Sequence, residues 1–166
     1  MLDALAIIRK VVEEHHSIRR NMKLAGESVN DLEAIFSLQK AQASWTLAST
    51  DMLSEKLNKM QQTVSLLEEG LKNHFAFEEK ALPPLLGELL MRALILDHAE
   101  IAREISKVKS IAVDTRLGEL SREELLSQKS RIRQATDRLH QTVEEHATRE
   151  EVILNMAKKA VETPLV

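Results

Sequence analysis

The sequence predicts an all-α fold: an up-and-down four-helix bundle with an extra short helix between the first and second helices. Three observations carry that prediction. Along four long segments apolar residues recur with a period of about 3.5, the spacing of packed helices rather than strands. Of 166 residues only four are Gly and three are Pro, while 43% are hydrophobic, so little interrupts those segments. A His-centred motif also occurs twice, inside the apolar stripes of two different segments, and this length fits one domain spanning residues 1–166.

The first helix carries Ile8, Val11, His15, Ile18, Met22 and Ala25 on one face and is expected to end at Gly26. Asn30 with Glu33 is expected to cap the short helix, which would carry Leu32, Ile35 and Phe36 and reach Trp45. In the second helix the stripe is Leu53, Leu57, Met60, Val64, Leu67, Leu71, His74, Glu78 and Ala81. Pro83-Pro84 stops it, because Pro has no N–H and its ring clashes with the preceding turn. The third stripe is Met91, Leu94, His98, Ile101, Ile105, Val108 and Ala112. The fourth is Leu125, Ile132, Leu139, Val143, His146, Glu150, Ile153 and Ala157, opened by the capping box Ser121-Arg122-Glu123-Glu124. Measured from the His level, the second and fourth helices run back about 24 and 25 residues, and the first and third only about 10 and 14, an overhang of roughly 15–20 Å. The short helix, or a second subunit, is expected to cover it.

Composition removes several classes. Net charge is −3 with 30% charged residues of both signs, so there is no basic surplus for a nucleic-acid backbone. No Cys is present, which excludes disulfides, thiolate zinc sites and cysteine-ligated iron–sulfur clusters; no Tyr is present, which excludes a tyrosyl radical or phenolate ligand. The first residues are amphipathic rather than a signal-type apolar run, and no stretch approaches the ~20 apolar residues of a membrane span. A soluble cytoplasmic protein, monomer or homodimer, is expected, with neither nucleic acid nor membrane as partner.

The repeated motif reads His74-Phe75-Ala76-Phe77-Glu78-Glu79 and His146-Ala147-Thr148-Arg149-Glu150-Glu151, each followed three residues on by Leu, at Leu82 and Leu154. Four residues of α-helix advance about 6 Å and overshoot a full turn by about 40°, so each His and the Glu four residues later project together as a pincer. The other two helices each contribute a His preceded by an acid, Glu14-His15 and Asp97-His98. Imidazole ends and bridging carboxylates are what a pair of cations needs, and a polar residue in a core stripe must be hydrogen-bonded or metal-bound. Iron, in two accessible oxidation states, suits this mixed donor set, with zinc behind it.

Plainer readings stand beside each residue. A lone core His is usually a hydrogen-bonded core residue; it is the joint pattern that argues for metal. His16 falls off the seam that His15 occupies, and His140 reads as a rim or surface His. Glu79 and Glu151 are either acceptors for a ligand His or, more plainly, solvated Glu. Met22, Met60 and Met91 read as core filler, and Phe75 as a wall of the site or simple packing.

The order acid-His, His-x-x-x-Glu-Glu, acid-His, His-x-x-x-Glu-Glu resembles the hemerythrin-like (HHE cation-binding) family and spans residues 15 to 154. The resemblance implies an up-and-down four-helix bundle holding two Fe ions in an oxo- or hydroxo-bridged di-iron centre. The implied metal ligands are His15, His74, Glu78, His98, His146 and Glu150, both Glu bridging. Oxygen-carrying hemerythrins have a second His four residues after the third-helix His, where this chain has Ala102. The hemerythrin-like domain of an iron-sensing F-box protein shows the same departure. Two octahedral ions offer about twelve positions, and the implied donors with one bridging oxygen fill about ten. About two stay open, and Ala102, one turn beyond His98, is expected to leave one of them on the ligand face.

The function expected is therefore binding or sensing of a small gaseous or peroxide ligand (oxygen, nitric oxide, peroxide), or of iron itself. The alternatives are a di-iron enzyme that activates oxygen or peroxide or reduces nitric oxide, and a metal-free helical interaction protein. With no catalytic residue beyond the ligands legible, binding is preferred to turnover.

Overall fold

In the computed structural model, which describes residues 3–41, 47–114 and 121–163, every element is helical. The elements are α1 (Ala4–Ala41), α2 (Leu47–Ala81), α3 (Pro83–Asp114) and α4 (Arg122–Glu162). The main packings are α1 on α2, α2 on α3, α3 on α4 and α4 back on α1, so the chain runs up and down around a closed ring of four. At 1.5 Å per residue α1, α2 and α4, of 38, 35 and 41 residues, are roughly 50–60 Å long. None among the described residues is long and apolar enough to cross a membrane.

Two of the expected helix ends hold. The Ser121 hydroxyl accepts from the Glu124 amide while the Glu124 side chain accepts from the Ser121 amide, so the capping box opens α4. α2 stops before Pro83, and the junction is tight: the Leu82 carbonyl accepts from the amides of Leu85 and Leu86. Gly87, at φ 73° and ψ 171°, then breaks α3 from this turn in a region that only glycine adopts freely.

The expectation of a helix ending at Gly26 and a separate short helix after it is not met. α1 runs unbroken through Gly26 to Ala41. The physical reason lies in the stripe itself: Met22, Ala25, Val29 and Leu32 keep helical spacing, and all four are buried. A helix-interior Gly costs about 1 kcal/mol against Ala, less than the roughly 1.5–3 kcal/mol contributed by burying one aliphatic side chain. Asn30 and Glu33 do not cap; both accept from Arg133 of α4, and Asp31 accepts from Lys56 of α2. The overhang of α2 and α4 is thus met by α1 itself. The side chains of Ile35, Phe36, Leu53 and Leu125, and Trp45 altogether, lie outside the described residues.

The core is divided. An upper apolar cluster includes Ile18, Met22, Val29, Leu32, Met60, Leu67, Leu71, Phe75, Ile101, Ile132 and Leu139. A lower one holds Ile7, Ile8, Val11, Leu82, Met91, Leu94 and Leu154. Between them every helix changes from apolar to ionisable residues. In the fourth stripe Leu154, fully buried, takes the place expected for Ile153, which is only half-buried.

Candidate metal centre

The layer between the clusters contains His15, His74, Glu78, His98, His146 and Glu150, each no more than 4% exposed. All six residues expected from the sequence are therefore brought to one level of the bundle, with no Lys or Arg among them. For five, His15, His74, Glu78, His146 and Glu150, one ligand atom each lies within 4.8 Å of all the others. His98 stands off that compact set but places its Nε2 3.1 Å from Glu78 Oε2.

One inner contact, His15 Nε2 to Glu150 Oε2 at 3.2 Å, is a hydrogen bond; the others are close without being one. His74 Nε2 is 2.6 Å from Glu78 Oε1, yet that nitrogen, the Nε2 atoms of His98 and His146, both Glu78 oxygens and Glu150 Oε1 are buried without a hydrogen-bond partner. Leaving buried polar atoms so costs about 1–3 kcal/mol each and native proteins hold only a few, so six in one layer require an explanation. A cation resolves the arrangement: two donors bound at about 2.1 Å on perpendicular axes of one ion stand about 3 Å apart. The carboxylates are also disposed to bridge. Glu78 turns Oε1 to His74 and Oε2 to His98, and Glu150 Oε2 lies 3.2 Å from His15 and 3.5 Å from His146. The imidazoles fall into two edge-on pairs, His15 with His74 and His98 with His146, each with ring centres 5.0 Å apart.

The outer nitrogens are all engaged. Nδ1 of His15 lies 3.0 Å from Glu151, that of His74 2.7 Å from Glu14, that of His98 2.9 Å from Glu79 and that of His146 3.5 Å from Asp97. A carboxylate only accepts, so each Nδ1 donates, and an imidazole that carries no second proton turns its Nε2 lone pair inward. The pattern is cyclic: α1 supplies the acid for the His of α2, α2 for α3, α3 for α4, and α4 for α1. Such acceptors fix the tautomer and ring orientation of metal-binding His. Arg19 in turn donates to Glu151 at 2.7 Å and grips Glu144 through Nε and Nη2, and Arg149 donates to Asp97 at 2.8 Å.

Two expectations need correcting here. Glu79 and Glu151 are not simply solvated; although Glu79 is exposed, both hold a site His. Glu14 and Asp97 hold site imidazoles as well, a role the sequence does not announce. The signal is indirect: a residue adjacent to an inward-facing one is turned by about 100°, towards the neighbouring helix, and all four ligand stretches carry an acid at such an offset. Ala102 does not face the cluster either. It is exposed in a groove between α2 and α3 with Glu68, Leu71 and Lys72, and Ile101 is the buried residue one turn from the site. The increments from His98 explain this: three residues on falls short of a full turn by about 60° and four overshoots by about 40°, and here the core lies on the three-residue side. The other expectations hold in place: His16 and His140 are exposed, Met22, Met60 and Met91 are core, and Phe75 stacks on the His98 ring with centres 4.0 Å apart.

Without a cation the layer must hold protons instead. Burial pulls the His15 imidazole down, but Glu150, Glu78 and Glu151 outweigh it and raise it to about 10. Burial likewise opposes His98, which Glu78 and Glu79 raise. Burial lowers His146 to about 4, with His98 and His15 adding to the effect. Glu78 is held below the usual carboxylate range: burial works against this, but His15, His74 and His98 prevail. Glu150 is raised by burial, and the Glu78 charge adds to it.

Fold and layer together define a helical bundle with a buried His/Glu cluster that can hold a metal ion. No protein-family model, curated protein or solved structure matches the chain.

Proposed function

We propose that this chain is a hemerythrin-like, non-haem di-iron protein that binds or senses a small ligand (oxygen, nitric oxide or peroxide) or iron supply itself. One observation carries the reading: six buried residues converge, six of their inner atoms (on His74, Glu78, His98, His146 and Glu150) have no hydrogen-bond partner, and every imidazole is fixed from behind by a carboxylate. Six donors exceed what one four-coordinate zinc needs, whereas two ions sharing Glu78 and Glu150 as bridges use them all. When bound, such a pair supplies reversible electron transfer and coordination positions for a small ligand. The chain's own contribution is enclosure. With Glu78 and Glu150 0% exposed and apolar clusters above and below, the donors are enclosed, which favours a ligand of a few atoms over an enzyme of larger molecules.

Metal analysis of protein produced with ample iron tests this: about two irons per chain are expected. His74→Ala, Glu150→Ala and His15→Ala should each lower the content sharply, and His16→Ala, on the exposed face, should not. A single zinc, or no metal after anaerobic iron reconstitution, would sink the reading.

A further inference from the structure

The ring of outer carboxylates is not uniform. Three of its members are Glu and reach their imidazoles at 2.7–3.0 Å; the fourth, Asp97, is one methylene shorter and stays 3.5 Å from His146. Asp97 is also shared, since the same Oδ2 accepts from Arg149 at 2.8 Å. Glu151 is shared with Arg19 as well, but its longer side chain serves both at 2.7 and 3.0 Å. Among the described residues Glu79 is paired with His98 alone, and Glu14 is nearly as undivided, with Lys10 no closer than 3.7 Å, so Asp97 is the weak member of the ring. The inner side repeats the inequality. His74 has a Glu78 oxygen at 2.6 Å, whereas the nearest oxygen to His146 on its own pincer, Glu150 Oε2, is at 3.5 Å. His98, the ring partner of His146, is the one donor outside the compact set of five.

We propose that the two cation positions are unequal: the position of His15 and His74 is filled first and held, and that of His98 and His146 is the exchangeable one, with Asp97 and Glu14 as the positioning residues that set the difference. The inference rests on the two-metal reading above. Its chemistry is simple. An imidazole whose outer N–H is firmly accepted is a more basic and better-oriented ligand, and such outer partners typically change metal affinity 10–100-fold. The weaker position makes the chain suited to report iron supply, since partial occupancy leaves the held ion in place while the second follows the free concentration.

Cobalt(II) is the probe, bound to the whole chain and then challenged with excess chelator, with release followed by the cobalt absorption bands and by metal content per chain. Two phases of equal amplitude are expected, at least about tenfold apart in rate. Asp97→Asn should speed the fast phase about tenfold and leave the slow one unmoved, and Asp97→Glu, which restores the missing methylene, should slow the fast phase. Glu14→Gln should act on the slow phase. A change of packing alone would move both phases together and would not be reversed by the longer acid. Release of both ions in one phase from the unmodified chain overturns the inference while leaving two-metal binding intact, and so does an Asp97→Asn effect confined to the slow phase. Failure to bind two cobalt ions overturns the two-metal reading itself, and the inference with it.

Discussion

His15 sits among three carboxylates, and that crowding makes its proton a stand-in for a cation. With the imidazole raised to about 10, it is protonated on both nitrogens at neutral pH; to ligate through Nε2 it must lose one proton. His146, lowered to about 4, is already neutral and releases none. Metal binding near pH 7 should therefore release at least one proton, and affinity should rise with pH until His15 is deprotonated without metal. Calorimetric titration with cobalt(II) in two buffers of different ionisation enthalpy measures this directly, and equal heats in both would contradict it. For the metal-free chain the sign runs oppositely. His15 is raised above its unfolded value, so its contribution to stability is full below pH ~6.5 and is lost as the pH climbs through about 10. The six inner residues were legible in the sequence because helical periodicity puts a polar residue conspicuously into an apolar stripe. Their outer acids were not legible, because Glu14, Glu79, Asp97 and Glu151 occupy positions where a solvated carboxylate is ordinary. Only the knowledge of which helix lies next door turns a surface acid into a hydrogen-bond acceptor for that neighbour's His.

At the scale of the element, two glycines that look alike in sequence have opposite roles. Gly26 lies inside continuous α1, with nothing within 4 Å of where a Cβ would stand. Gly26→Ala should stabilise the protein by about 0.4–1 kcal/mol, because the helix keeps its geometry and the unfolded chain loses freedom. Gly87 also has open space, but its φ of 73° and ψ of 171° strain any other residue, so Gly87→Ala should destabilise by about 1–3 kcal/mol. Denaturant unfolding of the two variants measures both. A loss of stability at Gly26 would indicate that the helix ends there, as the sequence alone suggested. Local propensity marks Gly26 as a stop, while the continuation of the apolar stripe through Val29 and Leu32, and the pairing of Arg133 with Glu33 across to α4, depend on neighbours that propensity does not see. The stops at Pro83 and Ser121 were legible because they are set by chemistry within the chain: a missing N–H in one case, a reciprocal cap in the other.

Across the whole molecule, the ionisable layer splits what would otherwise be one continuous apolar core. The upper cluster ends at Ile18, Phe75, Ile101 and Val143, the lower begins at Val11, Leu82, Leu94 and Leu154, and the layer between adds little apolar burial beyond Ala147. Without a cation it leaves buried donors unpartnered, so the metal-free chain should be the least stable of three forms. Metal at 100 times its dissociation constant adds about 2.7 kcal/mol by mass action, or roughly 5–10 °C in a chain of this size. The third form is a variant in which His15, His74, His98 and His146 become Leu and Glu78 and Glu150 become Met. It joins the two clusters into one and should bind no metal. Replacing buried ionic groups by apolar ones of similar volume is often neutral or stabilising by about 1–4 kcal/mol, so it should melt at or above the metal-free parent. Thermal melting of the three forms, with metal content measured on each, decides the matter. The expected order is metal-free parent lowest, with loaded parent and apolar variant above it, the latter unmoved by added metal. An apolar variant that aggregates or melts below the metal-free parent would mean that the layer specifies how the four helices align. Its residues would then be kept for folding as well as for the cation.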